Sequence, residues 1–198
     1  MQEENFSPQQ SLAVIHSMIE TAKNHFSENG HLYLLWGWVI VISGIGQFVL
    51  LNIVHHNNPY IVWLLPLLAV IYHIFYLTKK EKRRKVTTYT DRIVGFVWLS
   101  FFILLIVVGF IVGFELRTEY YKLICPVSLA LYGMPTLLSG IILRFKPLIV
   151  GAIGCWFLSV GSLFVRYDYQ LLFLSAAMII AWIIPGYLLR KKYNSQTA

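Results

Sequence analysis

The chain has 198 residues, 58% of them hydrophobic and only 13% charged, with a formal net charge of +7. A soluble domain carries about 25% charged residues, so this composition excludes an ordinary soluble enzyme and points to a membrane protein. The first thirty residues hold Glu3, Glu4, Glu20 and Glu28 against Lys23 alone; a cleaved signal peptide needs a basic start, so uncleaved insertion is expected.

In chain order, the first predicted element is a helix before any span. Ser7 suits an N-cap, Pro8 suits the first helical position, and Gln10 completes a Ser-x-x-Gln capping box. Leu12, Ile15, Met18, Ile19, Ala22 and Phe26 share one face, with Ser17, Glu20, Thr21 and Asn24 opposite. Asn29-Gly30 then supplies a left-handed stop. Helices held on a membrane by headgroup attraction carry Lys and Arg on the polar face. This one carries mostly Glu, so the apolar stripe within residues 8–27 is expected to pack on protein: its own bundle, a second copy or a partner.

A span needs roughly 20 mostly apolar residues. Six stretches qualify, at about 32–54, 61–78, 93–114, 121–143, 147–165 and 170–189. The connections between them are short, which predicts an up-down bundle of antiparallel neighbours. Trp36, Trp38, Tyr60, Trp63, Tyr120, Tyr121, Tyr167 and Tyr169 cluster near span ends, as anchoring belts do. With the N-terminus in the cytoplasm, only Arg117, Lys122 and Arg166 of the sixteen Lys and Arg fall outside. That asymmetry predicts cytoplasmic N- and C-termini and accounts for the net charge without a nucleic-acid partner. The run "KKEKRRK" contributes Lys79, Lys80, Lys82, Arg83, Arg84 and Lys85. It reads as a positive-inside signal or as a contact for anionic lipid headgroups.

"LWGWVIVISGI" (35–45) and "LYGMPTLLSGI" (131–141) share a pattern, and their neighbours "PYIV" (59–62) and "PLIV" (147–150) match in the same order. The chain therefore divides into a cytoplasmic helix (1–30), a first three-helix half (31–114) and a second half with a basic tail (115–198). With three spans each, the halves read as an inverted repeat. Gly37 and Gly44 share a helix face, as do Gly133 and Gly140. Small residues let helices approach closely in lipid, so the first and fourth spans are expected to meet centrally. Pro66, Pro135 and Pro185 should kink their spans by removing a backbone bond. Freed carbonyls beside Ser43, Gln47, Thr136 and Ser139 would line a small central contact or polar cavity. Further small-residue surfaces are Gly109-x-x-x-Gly113 and the set Gly151, Gly154, Cys155 and Ser159.

Buried ionisable residues mark function in membranes, but the six cores hold no Asp, Glu, Lys or Arg; Asp91, Glu115 and Asp168 lie at span edges. This weakens an ion-coupled pump and excludes a carboxylate-based membrane protease. Cys125 and Cys155 read as small buried hydrophobes. His31 and His73 could meet near the cytoplasmic face as a metal or haem pair; the plainer reading is an interfacial and a hydrogen-bonded core histidine. No catalytic or nucleotide-binding motif occurs, and neither a resident cofactor nor a catalytic residue is assigned.

Together, "LLWGW" (34–38), "YGMPTLLSG" (132–140) and "FKPLIVGAIGCW" (145–156) resemble a group of small uncharacterised six-span membrane proteins of Bacteroidota-type bacteria. The resemblance implies a bacterial inner membrane and transfers no functional residue. The expected architecture is an all-α six-span bundle with an N-terminal amphipathic helix. The expected function is non-enzymatic, through protein or lipid interaction in an accessory or regulatory role. The alternatives are a small transporter or channel for a neutral or apolar solute and, more weakly, a His-ligated haem or metal protein.

Overall fold

The computed structural model describes residues 30–83 and 89–197. The N-terminal helix expected within residues 8–27 lies outside these, as do Arg84 and Lys85. Every regular element among the described residues is helical. They are α1 (His31–Asn52), a 3-10 turn (Pro59–Trp63), α2 (Leu64–Arg83), α3 (Tyr89–Leu116), a 3-10 turn (Arg117–Glu119), α4 (Tyr121–Ile142), α5 (Lys146–Ser162), α6 (Tyr167–Met178), a π turn (Ile179–Ile183) and α7 (Ile184–Thr197). The last three run on as a single rod, Tyr167–Ser195.

Five of the resulting helical rods are long and apolar enough to cross a membrane. The exception is α5, with 17 residues, at the short limit for a span. Its predicted end at 165 is shortened because Leu163, Phe164 and Val165 bond back to Val160, Gly161 and Ser162 in tight three-residue turns.

The connections are reversed by left-handed residues. His55, Arg117 and Arg144 all have positive φ. At the end of α4 the Phe145 N–H reaches the Gly140 carbonyl (2.8 Å) and the Arg144 N–H reaches Ile141 (3.1 Å). This satisfies the last carbonyls before α5 starts back. Gly30 is left-handed as expected, at φ 69°. A Cβ there would also strike the Gly186 carbonyl and Leu189, so glycine is required twice over.

Packing is uneven. The rod lies against α1, α4 and α5, and α4 and α5 pair along their lengths. By contrast α2 rests on α1 and α3 rests on α4, each with no second helix within 8 Å Cα–Cα among the described residues. Only 6% of the apolar stretch of α2 or of α3 is buried, against 56% for the rod. What fills the space between α3 and the rest is aromatic. Trp98 meets Tyr33, Phe101 and Trp182 edge-on, with centroids 5.4–5.6 Å apart. Phe101 meets Tyr132 at 5.2 Å, and Phe102 meets Trp36 at 5.5 Å. Edge-on ring pairs at these distances add to plain area burial.

Proline accounts for two inter-helix links. Pro66, expected to kink the second span, instead sits in the first turn of α2, just after the 3-10 turn. Its ring cannot bond the Val62 carbonyl, and Ser43 Oγ donates to that oxygen instead (3.3 Å). Pro126 likewise leaves the Lys122 carbonyl free, and Gln170 Nε2 takes it (3.3 Å). Helix α4 runs unbroken through Pro126 and Pro135. Before Pro185 the helix widens into the π turn, where the Ile184 N–H reaches back five residues to Ile179.

Candidate functional site

The predicted meeting of α1 and α4 does not occur: among the described residues no Cα of α1 lies within 8 Å of α4. The glycines face other neighbours. A Cβ on Gly37 would lie 2.8 Å from Ile183, and one on Gly44 would lie 2.6 Å from Ser175 Oγ, so this face grips the rod. A Cβ on Gly133 would strike the Trp156 indole, and one on Gly140 would lie 2.8 Å from Ile149, so that face grips α5. Spacing correctly marked both as close-approach faces and misassigned their partner.

What stands between α1 and α4 is Trp182 of the π turn. Its Cβ would be 3.3 Å from a Cβ on Gly37, and its indole N–H donates to Thr136 Oγ1 on α4 (2.9 Å). Thr136 Oγ1 in turn donates a hydrogen bond to the Tyr132 carbonyl (2.7 Å). Pro135 and Ser139 are buried beside it, and Ser139 Oγ has no hydrogen-bond partner. The predicted polar cavity is thus a packed, largely bonded core.

Gln47 is fully buried on α1 and joins three elements. Its Oε1 accepts from the Trp63 indole (2.6 Å), and its Nε2 donates to Tyr167 Oη (2.7 Å). Replacing it with leucine strands both aromatic polar groups; leaving buried groups unpaired costs about 1–3 kcal/mol each. We expect Gln47→Leu to lower the thermal midpoint in detergent by several degrees, read by reaction of a fluorogenic maleimide with the buried Cys125 and Cys155. An unchanged midpoint would show that Trp63 and Tyr167 find other partners.

Tyr167 leads from this hub to a cleft of about 680 Å³ at the bundle end where α4 and α6 begin. Leu51 and Asn52 come from the end of α1, Tyr121, Lys122 and Leu123 from the start of α4, Leu163 and Val165 from beyond α5, and Arg166, Tyr167, Asp168 and Gln170 from the start of the rod. One wall is apolar and the rim carries both signs of charge. Lys122 pairs with Glu119 (2.9 Å) in the open, a contact of small energetic weight. Arg166 Nε lies 3.4 Å from Asp168 Oδ1, with the guanidinium exposed and the carboxylate largely covered. Gln170 is 3% exposed. Its Nε2 points at the carbonyls of Lys122 and Val165 (3.3 and 3.4 Å), which fixes the amide's orientation. Its Oε1 then has no donor.

Sequence reasoning did not assemble this cleft. Gln170 is the only amide in the sixth predicted span, and that was its one visible signal.

At the opposite end, His31 and His73 take separate aromatic partners. His31 Nε2 lies 3.0 Å from Tyr72 Oη and its ring meets Tyr76 at 4.7 Å. His73 Nδ1 accepts from the Trp36 indole (2.8 Å). No group of three His, Cys, Asp or Glu capable of holding a metal occurs among the described residues. Lys79 is exposed near the end of α2; Lys80, Lys82 and Arg83 continue the same helix.

No protein-family model matches the chain, and neither a curated protein nor a solved structure matches it.

Proposed function

We propose that this chain is a non-enzymatic integral membrane protein that acts by interaction, as an accessory or regulatory subunit. The observation that carries the reading is the exposure of α2 and α3. Both are long and apolar, yet each leans on one neighbouring helix, with 6% of its apolar stretch buried. Cβ atoms on Gly95, Gly109 and Gly113 of α3 would meet nothing within 4 Å. Faces of this kind admit close approach by lipid or by another helix. The amphipathic N-terminal stretch, residues 8–27, supplies a second contact on the sequence argument given above.

The transporter reading draws on the π turn and Pro185 within the rod. Thr136 and Trp182, the polar groups beside that turn, are bonded to each other, which favours interaction over passage. The crossed pairing of α1 with the rod and of α4 with α3 supports two related halves. The unlike neighbours of the two glycine pairs weigh against them. The Lys and Arg asymmetry and the sequence resemblance support a bacterial inner membrane with cytoplasmic termini, and the same asymmetry puts the Lys79–Lys85 run among inner-leaflet headgroups.

Native mass spectrometry of the full chain released from its own membrane tests the proposal. A stoichiometric protein partner or second copy is expected, weakened on deleting residues 1–29. A monomer carrying only exchangeable lipid, with or without that deletion, would refute it.

A further inference from the structure

We infer that the bond from Trp36 to His73 is a proton-sensitive latch, which holds the Lys79 half of α2 to α1 and opens when the His73 imidazole is protonated. The inference goes beyond the interaction role proposed above and does not depend on it.

The latch follows from what each ring nitrogen can do. The Trp36 indole nitrogen lies 2.8 Å from His73 Nδ1. An indole nitrogen carries a hydrogen and only donates. The atom facing it must be a bare ring nitrogen, so His73 is neutral here, with its proton on Nε2. An imidazolium carries a hydrogen on both nitrogens and cannot accept. Protonation therefore sets two N–H groups against each other, and the bond is lost. His31 behaves differently. Its Nε2 lies 3.0 Å from Tyr72 Oη. A phenol oxygen can donate or accept, so that contact survives in either charge state.

Nothing nearby compensates a charge on His73. The titratable side chains of α1 are His31 and Tyr33 alone, and Tyr33 meets Trp98 of α3. On α2 itself the flanking ones are Tyr72, Tyr76 and Lys79, and the 3-10 turn at the far end adds Tyr60. Helix α3 reaches this level with Phe102, which backs the Trp36 ring, and residues 95–105 hold no titratable group. No carboxylate occurs on α1, or on α2 before Glu81. His73 is half-buried between the two helices. A charge placed there without a partner is costly, so the imidazolium is driven toward water and takes its part of α2 with it.

Helix α2 is built to move at one end only. Among the described residues it packs within 8 Å Cα–Cα on α1 and on its own 3-10 turn. The far end is tied by bonds that do not titrate. Ser43 Oγ donates to the Val62 carbonyl, and the Trp63 indole donates to Gln47. The closed state is thus favoured while His73 is neutral and is lost as pH falls, with α2 pivoting about the 3-10 turn. The end that opens carries Lys79, on the side where both chain termini are proposed to lie, and the latch answers to the pH of that compartment.

Distances between paired spin labels test this in the full chain. One pair, L77C with V150C, spans the Lys79 end of the bundle; the other, I61C with F164C, spans the opposite end. All four side chains are exposed, and the native Cys125 and Cys155 are buried away from the label. Spectra are taken at about pH 8 and about pH 5, across the range where imidazoles change charge. The first distance is expected to lengthen by several ångströms at the lower pH and to recover on return, with the second unchanged. His73→Gln keeps an acceptor that cannot titrate, and Trp36→Phe removes the donor. Each should abolish the pH-dependent difference, whatever its distance at the higher pH. His31→Gln should retain it. An unaltered chain whose first distance ignores pH overturns the inference. So does a difference that survives His73→Gln or Trp36→Phe, one that disappears in His31→Gln, or equal movement of both label pairs.

Discussion

Trp182→Ala should be the most damaging single truncation in this chain, lowering the unfolding midpoint in detergent by on the order of 10 °C. Large-to-small changes at buried tryptophan cost about 3–5 kcal/mol, and a chain of this length loses roughly 2–4 °C per kcal/mol. Trp182 is 2% exposed and ties its own π turn to three other elements. Its ring meets Trp98 of α3 and Tyr132 of α4, its Cβ sits against the Gly37 notch of α1, and its N–H binds Thr136. Trp182→Phe separates these contributions. It keeps a smaller ring for Trp98 and Tyr132 and loses the hydrogen bond, worth about 1 kcal/mol, with part of the indole's buried volume, so its loss should fall between wild type and alanine. The maleimide assay on Cys125 and Cys155 reads both. A phenylalanine variant as unstable as the alanine one would show that a ring alone contributes nothing there and that the full hydrogen-bonded indole is required. Two unaffected variants would remove Trp182 from the centre of the bundle.

The second large effect is expected from Gly151→Leu. A Cβ at Gly151 would lie 2.6 Å from the Ala181 Cα and 3.0 Å from the Ile180 carbonyl. Both are backbone atoms, so no rotamer change relieves the contact and α5 must move off the rod. Overpacking of a tight contact costs about 1–3 kcal/mol even where side chains can adjust; here the cost should exceed that range, with loss of the folded species in a sizing column. Gly109→Leu on α3 is the control, because a Cβ there meets nothing within 4 Å. Its stability should change by no more than about 0.5 kcal/mol. Equal behaviour of the two variants would contradict the packing described.

The sequence was legible where one residue type has one physical use. Six apolar stretches became six helical rods, Gly30 took its left-handed turn, and Pro185 followed a break in the regular helix. It was illegible where the missing information is the identity of a neighbour. Gly37 with Gly44, and Gly133 with Gly140, each define a face by spacing. Nothing in a spacing of seven says whether that face meets α4, α5 or the rod. Pro66 misled because its effect depends on its distance from the helix start, which apolar composition does not mark. Pro126 was overlooked, though its freed carbonyl is what Gln170 reaches. The cleft was hidden for a topological reason. Asn52, Lys122 and Gln170 are far apart in the chain, and each alone looks like an ordinary residue at a membrane boundary.

The pairing of α1 with the rod has a consequence for synthesis. Helix α1 enters the membrane with its principal partner still unmade. The residues from Ile53 to Arg166 must be translated first, which takes roughly 6–25 s at about 5–20 residues per second. Throughout that interval the Gly37–Gly44 groove faces lipid or the insertion machinery. Gln47 passes the wait half-paired. Trp63 arrives early, at the end of the 3-10 turn before α2, and can take Oε1; Tyr167 comes only with the rod. The closing of that amide's second hydrogen bond therefore marks the moment at which α1 and the rod become one bundle.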